Sequence, residues 1–278
     1  WRIAMSIISN LINGVVIPDL HPAWQSYPED GIEDIPAAVT QALDISTVAD
    51  TFSGGDIAIG VGSRGVANIA SIVRAVAAWF RNKGGTPFVV PCMGSHGGAT
   101  AEGQVKILAE LGVTESSAGC PIRSSMEVVP LGHLDNGLPV YMDAIALAAE
   151  NVFVINRVKA HTSFSGPNAS GPLQMPTIGL GKQKGADAAH TFGNASFTTT
   201  MPAMARMCMA KKPGILGGLA VVENERDQTC MIEAGPAGIL EERDAELPVY
   251  AKSRMAALPL EPIYLLIVDQ IGKNISGS

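Results

Sequence analysis

Aromatic side chains make up only 5% of the 278 residues, and the four cysteines, Cys92, Cys120, Cys208 and Cys230, lie far apart with no C-x-x-C pair. That spacing excludes a zinc ribbon and an iron–sulfur cluster, whose ligands come in close pairs. Basic residues are also scarce, 19 against 26 acidic ones for a formal charge of −7. A general nucleic-acid binder needs a basic face to neutralise phosphates, so that class is set aside and only small local basic sites remain open. Long apolar runs are missing as well. Gly, Pro or a charge breaks every one well short of the ~20 residues a membrane span requires, and no transmembrane helix is expected. Few cysteines and no signal-peptide pattern make the cytoplasm the expected location. What is present is a 47% hydrophobic chain, enough for one large or two modest domains and too apolar for a disordered protein.

From Asp56 onward the pattern is that of β-turn-α units. Asp56-Ile-Ala-Ile-Gly-Val reads as a short buried strand, Gly62-Ser-Arg-Gly as a turn, and Ile69, Ile72, Val73, Val76 and Phe80 recur at helical spacing until Gly84-Gly85 stops them. The unit repeats with a strand at Pro87–Pro91, a glycine-rich turn at Gly94–Ala99 and a helix capped by Thr100, running to Leu111 and closed by Gly112. Ile35–Leu43 is a candidate short helix, and Val152–Ile155, Ile215–Val222 and Ile263–Val268 are further strand candidates. Short strands that are apolar throughout and alternate with helices imply an α/β fold, a mainly parallel sheet with helices on both faces. Ligands in such folds bind beyond the carboxyl ends of the strands. The turns 60–65, 94–99, 156–166 and 269–277 are therefore expected to share one rim, with Gly166–Gly181 a long loop beside it.

Gly60-Val-Gly-Ser-Arg-Gly65 matches G-x-G-x-x-G between a strand and a helix. A dinucleotide site also needs an acid about 20 residues further on for the adenosine ribose, yet no Asp or Glu stands between Asp56 and Glu102. What survives is anion binding. Gly62, Ser63 and Gly65 let backbone N–H groups approach an anion at a helix N-terminus, and Arg64 adds a guanidinium. The alternative is a tight turn carrying a solvated arginine.

His96, His161 and His190 all lie in glycine-rich segments, the first two just past predicted strands. Imidazole titrates near neutrality, with a reference pKa of ~6.5, and so serves as general acid, general base or metal ligand. Taken together the three suggest a site; taken singly each reads as a loop histidine bonded to backbone. His21 and His133 lack a polar cluster and read as surface or structural residues. Lys182 and Lys184 occupy an acid-poor glycine run where they either neutralise a phosphate or join a cofactor carbonyl, or are simply solvated at the start of a helix towards His190.

These segments resemble the nickel-dependent lactate racemase family. The matching pieces are Gly62-Ser-Arg-Gly65, Gly94-Ser-His-Gly97, Asn156-Arg-Val-Lys-Ala-His-Thr-Ser-Phe-Ser-Gly166, Ile178-Gly-Leu-Gly-Lys-Gln-Lys-Gly185 with His190, and Asp269-Gln-Ile-Gly-Lys-Asn-Ile-Ser-Gly277. The resemblance implies a two-domain protein with its active site in the interdomain cleft, residues 1–262 forming the N-terminal α/β domain and 263–278 beginning the interdomain strand. It also implies a nickel-pincer nucleotide, a pyridinium mononucleotide whose ring carbon and sulfur atoms bind nickel, and hence dependence on the enzymes that make it. Carried over, His96 and His161 are the paired acid/base residues, His190 the protein ligand to nickel, Arg64 an anion anchor, and Gly62, Ser63, Gly65, Lys182 and Lys184 contacts to the cofactor. One departure concerns Gln174, which stands where relatives often carry a lysine and cannot form a covalent thioamide link.

The function expected is racemisation or epimerisation of a 2-hydroxy acid. One histidine removes the hydroxyl proton as the α-hydrogen leaves as hydride, and return to the other face of the planar 2-keto acid inverts the centre. Two other readings stand beside it: a nicotinamide-type oxidoreductase, disfavoured by the missing acid, and a non-catalytic nucleotide- or anion-binding module.

Overall fold

The computed structural model describes residue 19 and residues 21–159, 171–193 and 197–270. Its seven strands among these residues are β1 (Gly55–Val61), β2 (Gly85–Pro91), β3 (Val128–His133), β4 (Pro139–Asp143), β5 (Asn151–Arg157), β6 (Ile215–Glu223) and β7 (Thr229–Pro236). Five of them form one sheet in the order β2-β1-β5-β6-β7, with β1, β2, β5 and β6 parallel and β7 antiparallel to β6. β3 and β4 form a separate antiparallel hairpin. The longer helices are α1 (Ile35–Ile45), α2 (Ile69–Asn82), α3 (Ala101–Glu110), α4 (Leu180–His190), α5 (Phe197–Lys211) and α6 (Leu240–Ser253).

Alternation along the strands builds two cores. Ile57, Ile59 and Val61 point with Phe153 and Ile155 into a core shared with α1 and α2. Ala58, Phe88, Val90, Val152 and Val154 point to the opposite face, where Met142 of the hairpin, Leu180 of α4 and Met201 and Met204 of α5 close over them. The α2 stripe buries Ile69, Ile72, Val73, Val76 and Phe80, and the Trp79 indole N–H donates to Asp44 Oδ1 at 2.8 Å, tying α2 to α1. Phe80 sits between the Phe52 and Phe153 rings at centroid distances of 5.0 and 5.3 Å. Asp34 caps α1 by accepting the Ala37 N–H at 3.0 Å, and Thr100 caps α3 through the Gly103 N–H at the same distance.

The α/β class, the strands at 56, 87, 152 and 215 and the helices after 35, 69 and 100 thus form as expected. Two expectations are corrected. Ile263–Val268 is not a strand: among the described residues it has no neighbouring strand to supply hydrogen bonds, and Tyr264, Leu265 and Ile267 are exposed. The part of Gly166–Gly181 that is described is not a loop but largely a π-helix (Met175–Gly179) running into α4, held by the burial of Leu173, Met175 and Leu180. The helix after the first glycine turn starts at Ile69, where its apolar period begins, behind Asn68 in the left-handed region at φ 65°. The β3–β4 hairpin, the edge strand β7 and helices α5 and α6 are additions that the sequence did not reveal.

Truncating the ring that joins α2 to the sheet is expected to be costly: Phe80→Ala should lower unfolding stability by about 3–5 kcal/mol, measured by urea denaturation. A loss below 1 kcal/mol would mean that this face is not packed as described.

Candidate functional site

The chain leaves β1 for β2 on one side and returns through β5 on the other side of β1, so the sheet order reverses between β1 and β5. Beyond the carboxyl ends of these strands lies the crevice where open α/β sheets take their ligands. Gly62, just past β1, faces the Asn156 Oδ1 of β5 and the Met175 Cε of the π-helix, each 3.7 Å from where a Cβ would stand. The turns after β1 and β2 and the end of β5 therefore do share a rim. Asp269 leaves no strand, and residues 271–277 lie outside the described residues.

His96 sits on this rim, solvent-exposed, with its Nδ1 2.5 Å from the Ser63 Oγ of the β1 turn. The two turns are thus joined side chain to side chain. The turn carrying His96 needs glycine: Gly97 and Gly98 have φ of 69° and 64°, and a Cβ on Gly103 would fall 1.9 Å from the Gly97 carbonyl oxygen. Beneath it the buried Gln104 donates its side-chain amide to the carbonyls of Gly94 (2.8 Å) and His96 (3.3 Å).

Arg64, next to Ser63, is exposed and makes no hydrogen bond or ion pair with the described residues. Partial desolvation, and then the like charge of Arg157, press its guanidinium pKa below the ordinary value, as expected of a cation that lacks a counter-anion. Arg157, at the end of β5, is paired with Glu223 Oε2 at 3.1 Å, and Glu223 Oε1 accepts the Ala67 N–H at 2.6 Å. The backbone donor just before α2 is therefore already taken by a carboxylate of the chain itself. Any further anion at this rim meets the Arg64 side chain rather than a bare helix end, and the G-x-G-x-x-G match is not built as a dinucleotide turn. Gly65 supports the same conclusion, since nothing lies within 4 Å of the place its Cβ would occupy and so no close helix–strand contact demands the third glycine.

Lys182 is not the open cofactor ligand that the sequence implied. It is fully buried, and its ammonium contacts the Pro91 carbonyl at 2.6 Å, Gln104 Oε1 at 3.0 Å and Asp143 Oδ2 at 3.1 Å. Lys184 is exposed, with its Nζ 6.0 Å from the centre of the Tyr141 ring. Gln174, half-buried, immediately precedes the π-helix. His190 ends α4, exposed, one turn beyond the Ala186 that packs on Gly94. Among the described residues no three His, Cys, Asp or Glu side chains group as metal ligands. His161 lies outside the described residues. Where the described residues resume, Asn156 Nδ2 donates to the Gly171 carbonyl at 2.7 Å and the Leu173 N–H donates to Asp244 Oδ2 at 2.8 Å. Asp244 is buried in α6, its Oδ1 has no hydrogen-bond partner among the described residues, and desolvation pushes its carboxyl up to about 7.

Sequence reasoning missed Asn156, Arg157 and Gln104, as well as Asp143 and Asp244. The first two were in view beside His161 and had a polar pair at a strand end as a signal; the others are single polar residues in helices or at a hairpin end, with no local mark.

The architecture is that of a lactate racemase-like α/β fold. A solved structure it resembles is the lactate racemase apoprotein from Thermoanaerobacterium thermosaccharolyticum, with a TM-score of 0.56 and 12% sequence identity over 80% of this chain. The match covers 58% of that protein's chain, and at this identity the likeness concerns the fold alone. No protein-family profile and no curated protein matches the chain. No described helix is long and apolar enough to cross a membrane.

Two outcomes follow from the buried charges. Lys182→Met strands the Asp143 carboxylate and should cost about 3–5 kcal/mol in denaturant unfolding, whereas Lys184→Met should stay within about 0.5 kcal/mol; equal effects would refute the contrast. Asp244, with its folded pKa above the unfolded 3.8, holds its proton more tightly when folded. Its contribution is intact below pH ~4 and is lost as the pH rises through 7. Asp244→Asn is therefore expected to raise the melting temperature at pH 8 relative to the native protein more than at pH 4, and the reverse order would contradict a buried neutral carboxyl.

Proposed function

We propose that the protein is an isomerase that inverts a 2-hydroxy acid, with the substrate held between Arg64 and His96. The observation that carries this reading is the side-chain bond between Ser63 and His96 beside an unpartnered guanidinium, at the point where the sheet order reverses. Arg64 takes the carboxylate and fixes its plane through paired N–H donors. Ser63 holds the imidazole of His96 through Nδ1, and the ring takes the hydroxyl proton from the substrate and returns it. His161 is the second acid/base, acting on the other face of the substrate plane. Two such groups make the reaction run equally in both directions.

A nickel-pincer nucleotide fits this rim as a non-covalent ligand and not as a tethered one. The three N–H groups of Lys182 are spent inside the protein, and Gln174 offers no amine. His190 would bind the metal, and Arg64, Lys184 and the open turn Gly62–Gly65 would face the cofactor's anionic groups. The chemistry such a group supplies is reversible acceptance of a hydride from the substrate's α-carbon. The enzymes that make the nucleotide would be required partners, and the cytoplasm is the compartment that fits.

The test is inversion of D-lactate and a panel of larger 2-hydroxy acids, followed by chiral chromatography, with protein co-produced with the cofactor-making enzymes and nickel. His96→Ala should lower kcat by about 10²–10⁴-fold, and Arg64→Gln should act chiefly on KM. Nickel-loaded protein that inverts nothing would point instead to a binding module, and inversion at native rates by His96→Ala would remove the acid/base assignment.

A further inference from the structure

Beneath the rim, Lys182, Gln104 and Asp143 form a fully buried polar cluster whose cost in an apolar interior calls for a reason. The Lys182 backbone adds to that cost: φ 53° and ψ −152° is a conformation that side-chain-bearing residues rarely hold, and it comes shortly after the π-helix that ends at Gly179, itself a frequent mark of functional sites. Asp143 Oδ1 accepts the Ala146 N–H at 2.9 Å, while Oδ2 has no hydrogen bond of good geometry and relies on the ammonium 3.1 Å away. The ammonium's contact with Gln104 Oε1 settles which end of that amide points inward, because lysine only donates. The NH2 end must then face the Gly94 and His96 carbonyls.

We propose that Gln104, oriented by the Lys182–Asp143 pair, is a positioning residue that holds the His96 turn so that the imidazole stays on Ser63. The route is continuous: Asp143 to Lys182, Lys182 to Gln104, Gln104 to the backbone of residues 94 and 96, His96 to Ser63. A hydrophobic residue at 104 would pack equally well in volume but would fix no carbonyl. The catalytic consequence rests on the isomerase reading above, but the positioning itself does not.

Gln104→Glu separates the two ends of the amide. It keeps an oxygen for Lys182 and replaces both donors to the turn with an acceptor, at the cost of a second buried carboxylate beside one ammonium, so a lowered melting temperature is expected and folding is checked by circular dichroism. The readout is the nitrogen NMR spectrum of the His96 imidazole at pH 8, assigned with His96→Gln, in the full chain without cofactor. In the native protein the Nδ1 signal should change on Ser63→Ala; Gln104→Glu should reproduce that change in protein that is still folded. A Gln104→Glu protein that keeps the native Nδ1 signal overturns the proposal. Should the variant not fold, the native protein decides: the Gln104 side-chain amide protons should exchange with solvent far more slowly than those of an exposed glutamine, and free exchange overturns the proposal. Activity is read separately. In an active preparation Gln104→Glu should lower kcat by about tenfold to a hundredfold with little change in KM. If the native protein inverts no substrate while the NMR changes appear, the isomerase reading fails and the positioning stands.

Discussion

Burial of β1 on both faces is the constraint from which the rest of the architecture follows. A strand with Ile57, Ile59 and Val61 on one side and Ala58 on the other must be covered on both faces, and its pairing with both β2 and β5 places it inside the sheet. Its two neighbours, β2 and β5, come from opposite directions of chain travel. The gap between their outgoing turns is thereby fixed at the carboxyl end of β1, where the backbone must turn sharply and where Gly62, Ser63 and Arg64 stand. The site is a consequence of how the sheet is wound, and its side chains are those the strand ends happen to deliver.

Electrostatics at the rim divide the cations into two kinds. Arg157 and Lys182 are spent on the protein's own carboxylates, Glu223 and Asp143, and they bind turns together. Arg64 is left over, beside a like charge that raises the cost of its solitude. In a chain of net charge −7, one unsatisfied guanidinium in a crevice next to a serine-held histidine is a local reversal of sign. In the function proposed above, that reversal, more than the glycines, would make the rim a place for a small anion.

The glycine pattern also shows how a motif can mislead when its geometry is not yet known. Gly60 is tightly packed, with Val154 and Cys92 at 3.2–3.3 Å from an imagined Cβ, but Gly65 faces open space. The same six residues that spell a dinucleotide turn therefore serve here to bring Ser63 to His96, and the Ala67 N–H that would have met a phosphate is held by Glu223.

Local periodicity by itself determined the α/β class, the main parallel strands, the helices after residues 35, 69 and 100, and the rim position of Arg64 and His96, because short buried strands and amphipathic helices write their burial into adjacent residues. It did not determine the π-helix at Met175–Gly179, whose Gly/Pro/Ser surroundings have no helical period and whose stability comes from side chains buried by distant elements. Nor did it determine the fate of Lys182, which reads as one of two equivalent lysines until Asp143 and Gln104, remote in sequence, arrive around it, or that of Ile263–Val268, whose β-prone composition makes a strand only beside a partner. Those outcomes depend on contacts between residues far apart in the chain, and only the tertiary structure decides them.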